Sequence, residues 1–124
     1  MKKAVLWAAV CASFLGLASA SYAADINGIW KNDGQTMIFL QEGGNIQVMC
    51  TYRGGSGIVT WYGQGSIQGN RVEYYLHHAN TDKPGTYNHY HAFTVSSDGK
   101  TMNGTWGTVF QPVMGNWSLH RVGP

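Results

Sequence analysis

Residues 41–52 read QEGGNIQVMCTY, and the order of residue types in this stretch decides the fold class. After the glycine pair, every second residue is apolar or aromatic, and the residues between them are polar except for Met49. Such alternation is typical of a half-buried β-strand, because successive side chains point to opposite faces of a sheet. Gly43-Gly44-Asn45 has the chemistry of a tight hairpin turn. The stretch therefore predicts a hairpin whose second strand turns one series of side chains inward, namely Ile46, Val48, Cys50 and Tyr52.

The same alternation recurs about every ten residues from Asp25 to the end of the chain. No stretch there keeps the three- and four-residue apolar spacing of a helix over three turns. The pattern favours an all-β fold, an antiparallel up-and-down eight-stranded β-barrel, which leaves no sheet edge unpaired. A β-sandwich is the alternative. The predicted strands are Ile26–Lys31, Thr36–Gln41, Ile46–Tyr52, Ile58–Gln68, Arg71–His78, His89–Ser96, Thr101–Thr108 and Asn116–Arg121.

The connections between these strands fall into two sets. Tight turns at one end of the barrel are predicted at Gly43-Gly44-Asn45, Gly69-Asn70 and Ser97-Asp98-Gly99. Longer connections at the opposite end are predicted at Asn32–Gln35, Arg53–Gly57, Ala79–Asn88 and Val109–Gly115. Long loops gathered at one mouth are typical of a recognition site, although surface loops also vary in length without a function.

The N-terminal segment has the features of a secretory signal peptide. Lys2 and Lys3 precede an apolar run, and Ser21-Tyr22-Ala23 fits a small-x-small cleavage site. The apolar run is shorter than the ~20 residues that a membrane span needs, so no stable membrane anchor is expected. We expect residues 1–23 to be the signal peptide of a bacterial periplasmic or secreted protein, and residues 24–124 to form a single barrel domain.

The charge and the cysteine content reduce the number of function classes to consider. Removal of Lys2 and Lys3 from the chain's 8 basic residues leaves 6, which balance the 6 acidic residues. A neutral domain without a basic run gives no electrostatic reason to bind nucleic acid. Of the chain's 2 cysteines, Cys11 lies in the signal segment, and Cys50 is predicted to be an inert core thiol. No catalytic motif is found, so we expect a protein that is not an enzyme and has no cofactor.

Two segments carry a resemblance to a known family. Asn27-Gly28-Ile29-Trp30 opens the first predicted strand, and Trp117-Ser118-Leu119-His120-Arg121 closes the last. They resemble the signature of the calycin barrels, the lipocalin and avidin-like families, in which a Gly-x-Trp packs against a basic residue from the last strand. The resemblance implies a structural contact between Trp30 and Arg121 that stabilises the fold by about 1–2 kcal/mol. Residues 28–37 and Thr51-Tyr52 are also similar to avidins, but the biotin-contacting tryptophans do not align, so biotin binding is not implied.

Side-chain parity places a ring of aromatic and imidazole groups towards the long-loop mouth. An eight-stranded barrel encloses just enough room for its own side chains or for one small ligand. Gly63 and Gly65 predict a bulge or a sharp bend in the fourth strand, which leaves the facing of Trp61 open. We expect a small apolar or aromatic molecule to be bound there. The candidate ligand-binding residues are Tyr52, Trp61, Tyr74, His78, His91 and Trp106.

The same barrel and its histidines also permit other functions. The aromatic rings would simply fill the barrel if no cavity exists, and a periplasmic protein-interaction or hydrolase-inhibitor function would then use the loops. His78, His89 and His91 are candidates for a metal or haem site, since three imidazoles suit zinc, copper or haem iron. Exposed strand faces rich in Thr, Tyr and Trp would permit a homo-oligomer.

Overall fold

A computed structural model of the chain describes residues 23–55, 57–78 and 88–124. These residues fold into a closed barrel of eight antiparallel strands. The all-β, up-and-down prediction is confirmed, and the sandwich alternative is wrong because the sheet closes on itself. The strands are β1 (Gly28–Lys31), β2 (Gln35–Glu42), β3 (Asn45–Gly54), β4 (Gly57–Gln68), β5 (Arg71–His78), β6 (Asn88–Val95), β7 (Thr101–Thr108) and β8 (Gly115–Gly123).

Each strand pairs with its neighbours in the chain, and β1 closes the barrel against β8. Trp30 lies opposite Arg121 across this last pairing, and the register shifts between Ile29 and Trp30. The inward parity expected for β3 is confirmed, since Ile46, Val48 and Cys50 are buried while the residues between them are exposed.

The predicted contrast between long and tight connections is only partly correct. β3 continues to Gly54 and β4 begins at Gly57, and these two glycines pair directly across the turn. Arg53–Gly57 is therefore a tight hairpin rather than a long loop, because the strand ladder extends into the glycine-rich segment. The connection of residues 109–114 is long as expected, whereas the predicted loop at residues 79–87 lies outside the described residues.

Gly63 and Gly65 cause no bulge in β4. The pairing of β4 with β3 and with β5 runs through both glycines without a break in register. A Cβ atom at Gly63 would overlap the carbonyl oxygen of Tyr75, and one at Gly65 would overlap that of Glu73. The glycines thus permit a close approach of the two backbones. Because the register is continuous, Trp61 and Ile67 keep the same parity and are both buried.

The end of the barrel that carries the Gly43-Gly44 turn is closed by packed side chains and by residues 23–27. Ile26 is fully buried, and its carbonyl oxygen accepts a hydrogen bond from the Trp30 indole Nε1 at 3.0 Å. The Ala24 N–H donates to the carbonyl oxygen of Gly69 at 2.8 Å. An aromatic series fills the barrel behind this segment, with ring contacts linking Trp30 to Phe39, Phe39 to Tyr74, and Tyr74 to Phe93.

The contact implied by the family resemblance is present. The Arg121 guanidinium carbon lies 4.9 Å from the centroid of the Trp30 ring, and Arg121 Nη2 donates to the carbonyl oxygen of Asp25. Arg121 therefore ties β8 to both β1 and the segment that closes the barrel, which is a structural role.

The predicted signal peptide lies outside the described residues except for Ala23, which packs against the core. Within the described ranges no helix has the length and apolarity of a membrane span.

Candidate ligand-binding site

A cavity of about 250 Å³ lies inside the barrel at the end opposite the Gly43-Gly44 turn. It exists because the inward side chains of the closed end meet in the middle of the barrel, whereas those of the other end stand around a space. Most of its walls are aromatic rings and imidazoles. The lining residues are Gln35, Cys50, Tyr52, Trp61, Leu76, His89, His91, Trp106 and Trp117.

His89 lies between two tryptophans in the outer part of this cavity. Its ring centroid is 4.3 Å from that of Trp61 and 6.4 Å from that of Trp106, the latter in a stacked arrangement. Burial lowers the pKa of His89, because desolvation disfavours the charged imidazolium. At neutral pH the outer part of the cavity is therefore walled by three flat, uncharged rings.

His91 forms the deeper part of the wall and is 3% exposed. Its Nδ1 lies 2.9 Å from the Tyr74 hydroxyl, and its ring is 4.4 Å from Trp117 in an edge-on contact. Desolvation, together with repulsion from His89, lowers the pKa of His91 from 6.5 to about 3. The imidazole is therefore neutral at physiological pH.

Tyr74 lies beneath the cavity and supports His91. Its side chain is fully buried, and desolvation raises the pKa of Tyr74 well above 10.0, so that it stays a phenol. The described residues offer its hydroxyl no other hydrogen-bond partner than His91. One hydrogen bond therefore joins the Tyr74 hydroxyl to His91 Nδ1, and the tautomer of His91 decides which of the two atoms donates.

Two glutamines at the ends of β2 differ in their hydrogen bonding. Gln41, at the closed end, accepts from the Ile26 N–H at 2.9 Å and donates to the carbonyl oxygen of Ala24 at 2.9 Å. Gln35 lines the cavity, and among the described residues its buried Oε1 has no hydrogen-bond partner. The amide oxygen of Gln35 is therefore a buried acceptor that no described residue satisfies.

Cys50 is a free, buried thiol on the cavity wall. Burial raises the pKa of Cys50 from 9.0 to about 12. The thiol is therefore protonated and contributes a small apolar surface to the wall, as expected for an inert cysteine.

Four of the six predicted ligand-binding residues, Tyr52, Trp61, His91 and Trp106, are brought together around the cavity. Tyr74 lies outside the lining and acts through His91. His78 pairs with Trp61 through the backbone at the end of β5, but its side chain lies outside the described part of the structure.

Five residues of the cavity lining were not among the predicted ligand-binding residues: Gln35, Cys50, Leu76, His89 and Trp117. Of these, the sequence had suggested His89 only as a metal ligand and Cys50 only as a core thiol. Gln35 falls in a predicted connection, whereas the structure begins β2 at this residue. Its parity with Met37 and Phe39, both fully buried, is the signal that would have placed it inside the barrel.

The candidate metal or haem site at His78, His89 and His91 stays a prediction, because the side chain of His78 lies outside the described residues. The ring centroids of His89 and His91 are 6.1 Å apart, and Nδ1 of His91 is held by Tyr74. The side chains that the structure describes contain no group of three His, Cys, Asp or Glu residues able to hold a metal ion.

The loop of residues 109–114 beside the cavity end exposes apolar side chains. Phe110 is 97% exposed and Val113 63%. The loop is held by backbone hydrogen bonds, from the Thr108 N–H to the Gln111 carbonyl oxygen and from the Met114 N–H to the Trp106 carbonyl oxygen, each 2.8 Å long. It therefore presents Phe110 from a fixed turn.

A second depression, of about 480 Å³, lies on the outer surface over β2–β5 and is also lined by apolar residues, among them Leu40, Met49 and Tyr62. These side chains point outward from the sheet, and each is about half exposed. The outer depression is larger than the interior cavity, but it lies on the outside of the sheet, and none of the described polar residues that line it is buried.

Comparisons with protein-family models, with curated proteins and with solved structures found no match for this chain.

Proposed function

We propose that this protein is an exported calycin-type barrel that binds a small apolar or aromatic molecule in the cavity lined by Trp61, His89, His91 and Trp106. The observation that carries this proposal is the unfilled half of the barrel interior. Barrels of eight strands are either filled by their own side chains or hold one small ligand. Here the closed end is filled, whereas about 250 Å³ remains open among the rings at the other end.

The size and walls of the cavity support a ligand of one or two rings. Drug-sized ligands occupy pockets of roughly 300–1,000 Å³, and an apolar cavity of about 150 Å³ in another protein holds benzene. A volume of about 250 Å³ therefore suits a fused pair of rings. Flat indole and imidazole walls favour a flat ligand, because offset stacking adds about 0.5–1.5 kcal/mol per aromatic pair.

The calycin assignment is supported by the order of the eight strands and by the contact between Trp30 and Arg121. Export is supported by the charge and apolar pattern of residues 1–23.

The test is native mass spectrometry of the mature protein purified from its own cell envelope, followed by calorimetric titration with the molecule that is released. Trp106→Ala removes one wall and is expected to weaken binding at least tenfold. Tyr75→Ala, an aromatic truncation on the outer face where Tyr75 is 48% exposed, is the matched control and should bind as wild type does.

A second variant, Leu76→Phe, adds a ring to the wall and should also block binding. Circular dichroism establishes that each variant is folded. Equal affinity in wild type and in both cavity variants would remove the cavity as the site.

A protein-interaction function is a second candidate, and the exposed loop of residues 109–114 favours it. An almost fully exposed Phe110 on a hydrogen-bonded turn is suited to insert into a partner's cleft. Inhibition of a panel of purified exported hydrolases tests this function. Phe110→Ser should abolish inhibition while Trp106→Ala retains it, and a lack of inhibition of every hydrolase would argue against the interaction.

A further inference from the structure

The outer surface of the barrel is apolar over β2–β5. The outward side chains there form two rows, in which each residue lies beside the next across the strand pairing. One row consists of Ile38, Met49, Tyr62 and His77, and the other of Leu40, Gln47, Gln64 and Tyr75. We call these eight residues the β2–β5 face. Its five aliphatic and aromatic members, other than the histidine and the glutamines, are 39% to 61% exposed.

The outer surface over β7 and β8 is polar instead. The outward side chains that line the depression on that side are amides and hydroxyls, from Asn103, Thr105, Asn116 and Ser118. Both surfaces meet water in an isolated barrel, so solvent contact alone does not account for the difference between them. Large contiguous apolar patches on soluble proteins are typical of interaction sites. The contrast therefore marks the β2–β5 face as the side that a partner covers.

The charges of the β2–β5 face suit a second copy of the same chain. None of its eight residues is Asp, Glu, Lys or Arg. When a surface packs on its own copy about a two-fold axis, any charge at its centre comes close to a charge of the same sign. The nearest acidic side chains, Glu42 and Glu73, lie one row further along the strands, and Glu73 is paired with Arg71 at 2.9 Å.

The polar groups of the face are also able to pair with themselves. Gln47 and Gln64 are exposed and lie opposite each other at the centre of one row. A glutamine amide carries both a donor and an acceptor, so it can hydrogen-bond to the same amide of another copy. A carboxylate or an ammonium group does not have this property.

The area of this side of the barrel is sufficient for a specific dimer. Four strands spaced about 4.8 Å apart, each about eight residues of about 3.4 Å, cover roughly 19 by 27 Å, or about 500 Å². Two such surfaces bury about 1,000 Å² in total, which is the lower limit for a specific interface. The eight residues occupy the centre of this area, and the row of Thr36, Thr51 and Thr60 forms a polar rim beside them. An apolar centre with a polar rim is typical of protein interfaces.

We propose that the β2–β5 face is the interface of a two-fold symmetric homodimer, in which it packs on the same face of a second copy. The dimer does not depend on a ligand in the interior cavity, because these side chains point outward from the sheet. This inference therefore goes beyond the proposed function, and either can fail without the other.

Sedimentation equilibrium of the mature protein over a series of concentrations tests the dimer. Wild type is expected to be dimeric at the upper concentrations. Met49→Glu places a charge at the centre of the face and should weaken dimerisation at least tenfold. Asn103→Glu, the same added charge on the polar outer side, is the matched control and should dimerise as wild type does. Circular dichroism establishes that each variant is folded.

A mixing experiment tests whether the same face is used by both copies. Met49→Glu and Met49→Lys should each be monomeric alone, and an equimolar mixture should recover the dimer, because opposite charges then meet across the two-fold axis. A mixture that stays monomeric would overturn the symmetric packing.

The remaining outcomes are equally decisive. A wild type that is monomeric at every concentration overturns the dimer, and a dimer that persists in Met49→Glu or is weakened as much by Asn103→Glu overturns the choice of face. Co-sedimentation with vesicles of phosphatidylethanolamine and phosphatidylglycerol tests a different occupant. If a monomeric wild type sediments with these vesicles and Met49→Glu does not, the face docks on a lipid surface and the dimer is wrong.

Discussion

Acidification should destabilise the barrel through His91. This loss of stability should begin at a pH well above the range in which the carboxylates of the protein are protonated. The pKa of His91 falls from 6.5 in the unfolded chain to about 3 in the barrel, where the ring is 3% exposed. Between these values the unfolded chain binds a proton that the folded chain does not. The contribution of His91 to the free energy of unfolding is therefore fully present above pH 6.5, and it is lost progressively as the pH falls towards 3.

The magnitude follows from the width of that window. Each pH unit within it lowers the free energy of unfolding by about 1.4 kcal/mol. Acidification from neutral pH to about pH 4.5 should therefore cost about 3 kcal/mol through His91 alone, a large part of the ~5–15 kcal/mol that stabilises a typical domain. His89 adds to the loss in the same direction, because burial lowers its pKa as well.

Urea unfolding followed by tryptophan fluorescence, repeated between neutral pH and about pH 4.5, measures this dependence. The double variant Tyr74→Phe/His91→Phe removes the imidazole without leaving a buried hydroxyl unpaired, and it should lose about 3 kcal/mol less than wild type over the same range. His120→Gln, on the exposed face of β8, is the control substitution. The same acid-dependent loss in wild type and in the double variant would refute the assignment to His91.

Three further predictions concern the closure of the barrel, its backbone packing and its thiol. Arg121→Leu should lower the free energy of unfolding by about 1–2 kcal/mol, since it removes the contact with Trp30 and the hydrogen bond to Asp25, and Arg121→Lys should recover part of the loss in urea titrations. Gly65→Ala should lower the free energy of unfolding by about 3 kcal/mol or prevent folding, because the added Cβ would overlap the Glu73 carbonyl oxygen. A Cβ at Gly34 meets no atom within 4 Å, so Gly34→Ala should change the free energy of unfolding by no more than about 0.5 kcal/mol in the same titration. Cys50 should react with Ellman's reagent about a thousandfold more slowly in the folded than in the urea-unfolded protein, because its pKa rises from 9.0 to about 12. Similar rates in the two states would show that the folded thiol is ionised or exposed.

Much of the fold was predictable because strand formation leaves a local mark. Alternation in residues 46–52 predicted the buried series of β3, and turn residues predicted the hairpins at Gly43 and Gly69. The errors occurred where local chemistry permits two structures. Glycines mark bulges, close backbone approaches and turns alike, so Gly63 and Gly65 predicted a bulge that is absent, and residues 53–57 were interpreted as a long loop.

The candidate site was predictable in its composition but not in its depth. Position near the ends of neighbouring strands was sufficient to collect Tyr52, Trp61, His91 and Trp106, although the facing of Trp61 was left open. It did not separate Tyr74, which has the same inward facing but lies beneath the cavity, because depth along the barrel depends on the stagger of the strands. Gln35 was omitted because a glutamine before a strand resembles a loop residue.

By itself the sequence determined the all-β class, the strand order and the face that most strand residues present, because these follow from a two-residue repeat and from turn chemistry within a few neighbouring residues. Only the tertiary structure decided which inward positions fill the barrel and which leave a space. That distinction depends on side chains from different strands meeting at the barrel axis, such as Trp30 with Phe39 at one end and His89 with Trp61 at the other. Whether Gln35 and Gln41 find partners was decided in the same way, since hydrogen bonding inside the barrel depends on segments far apart in the chain.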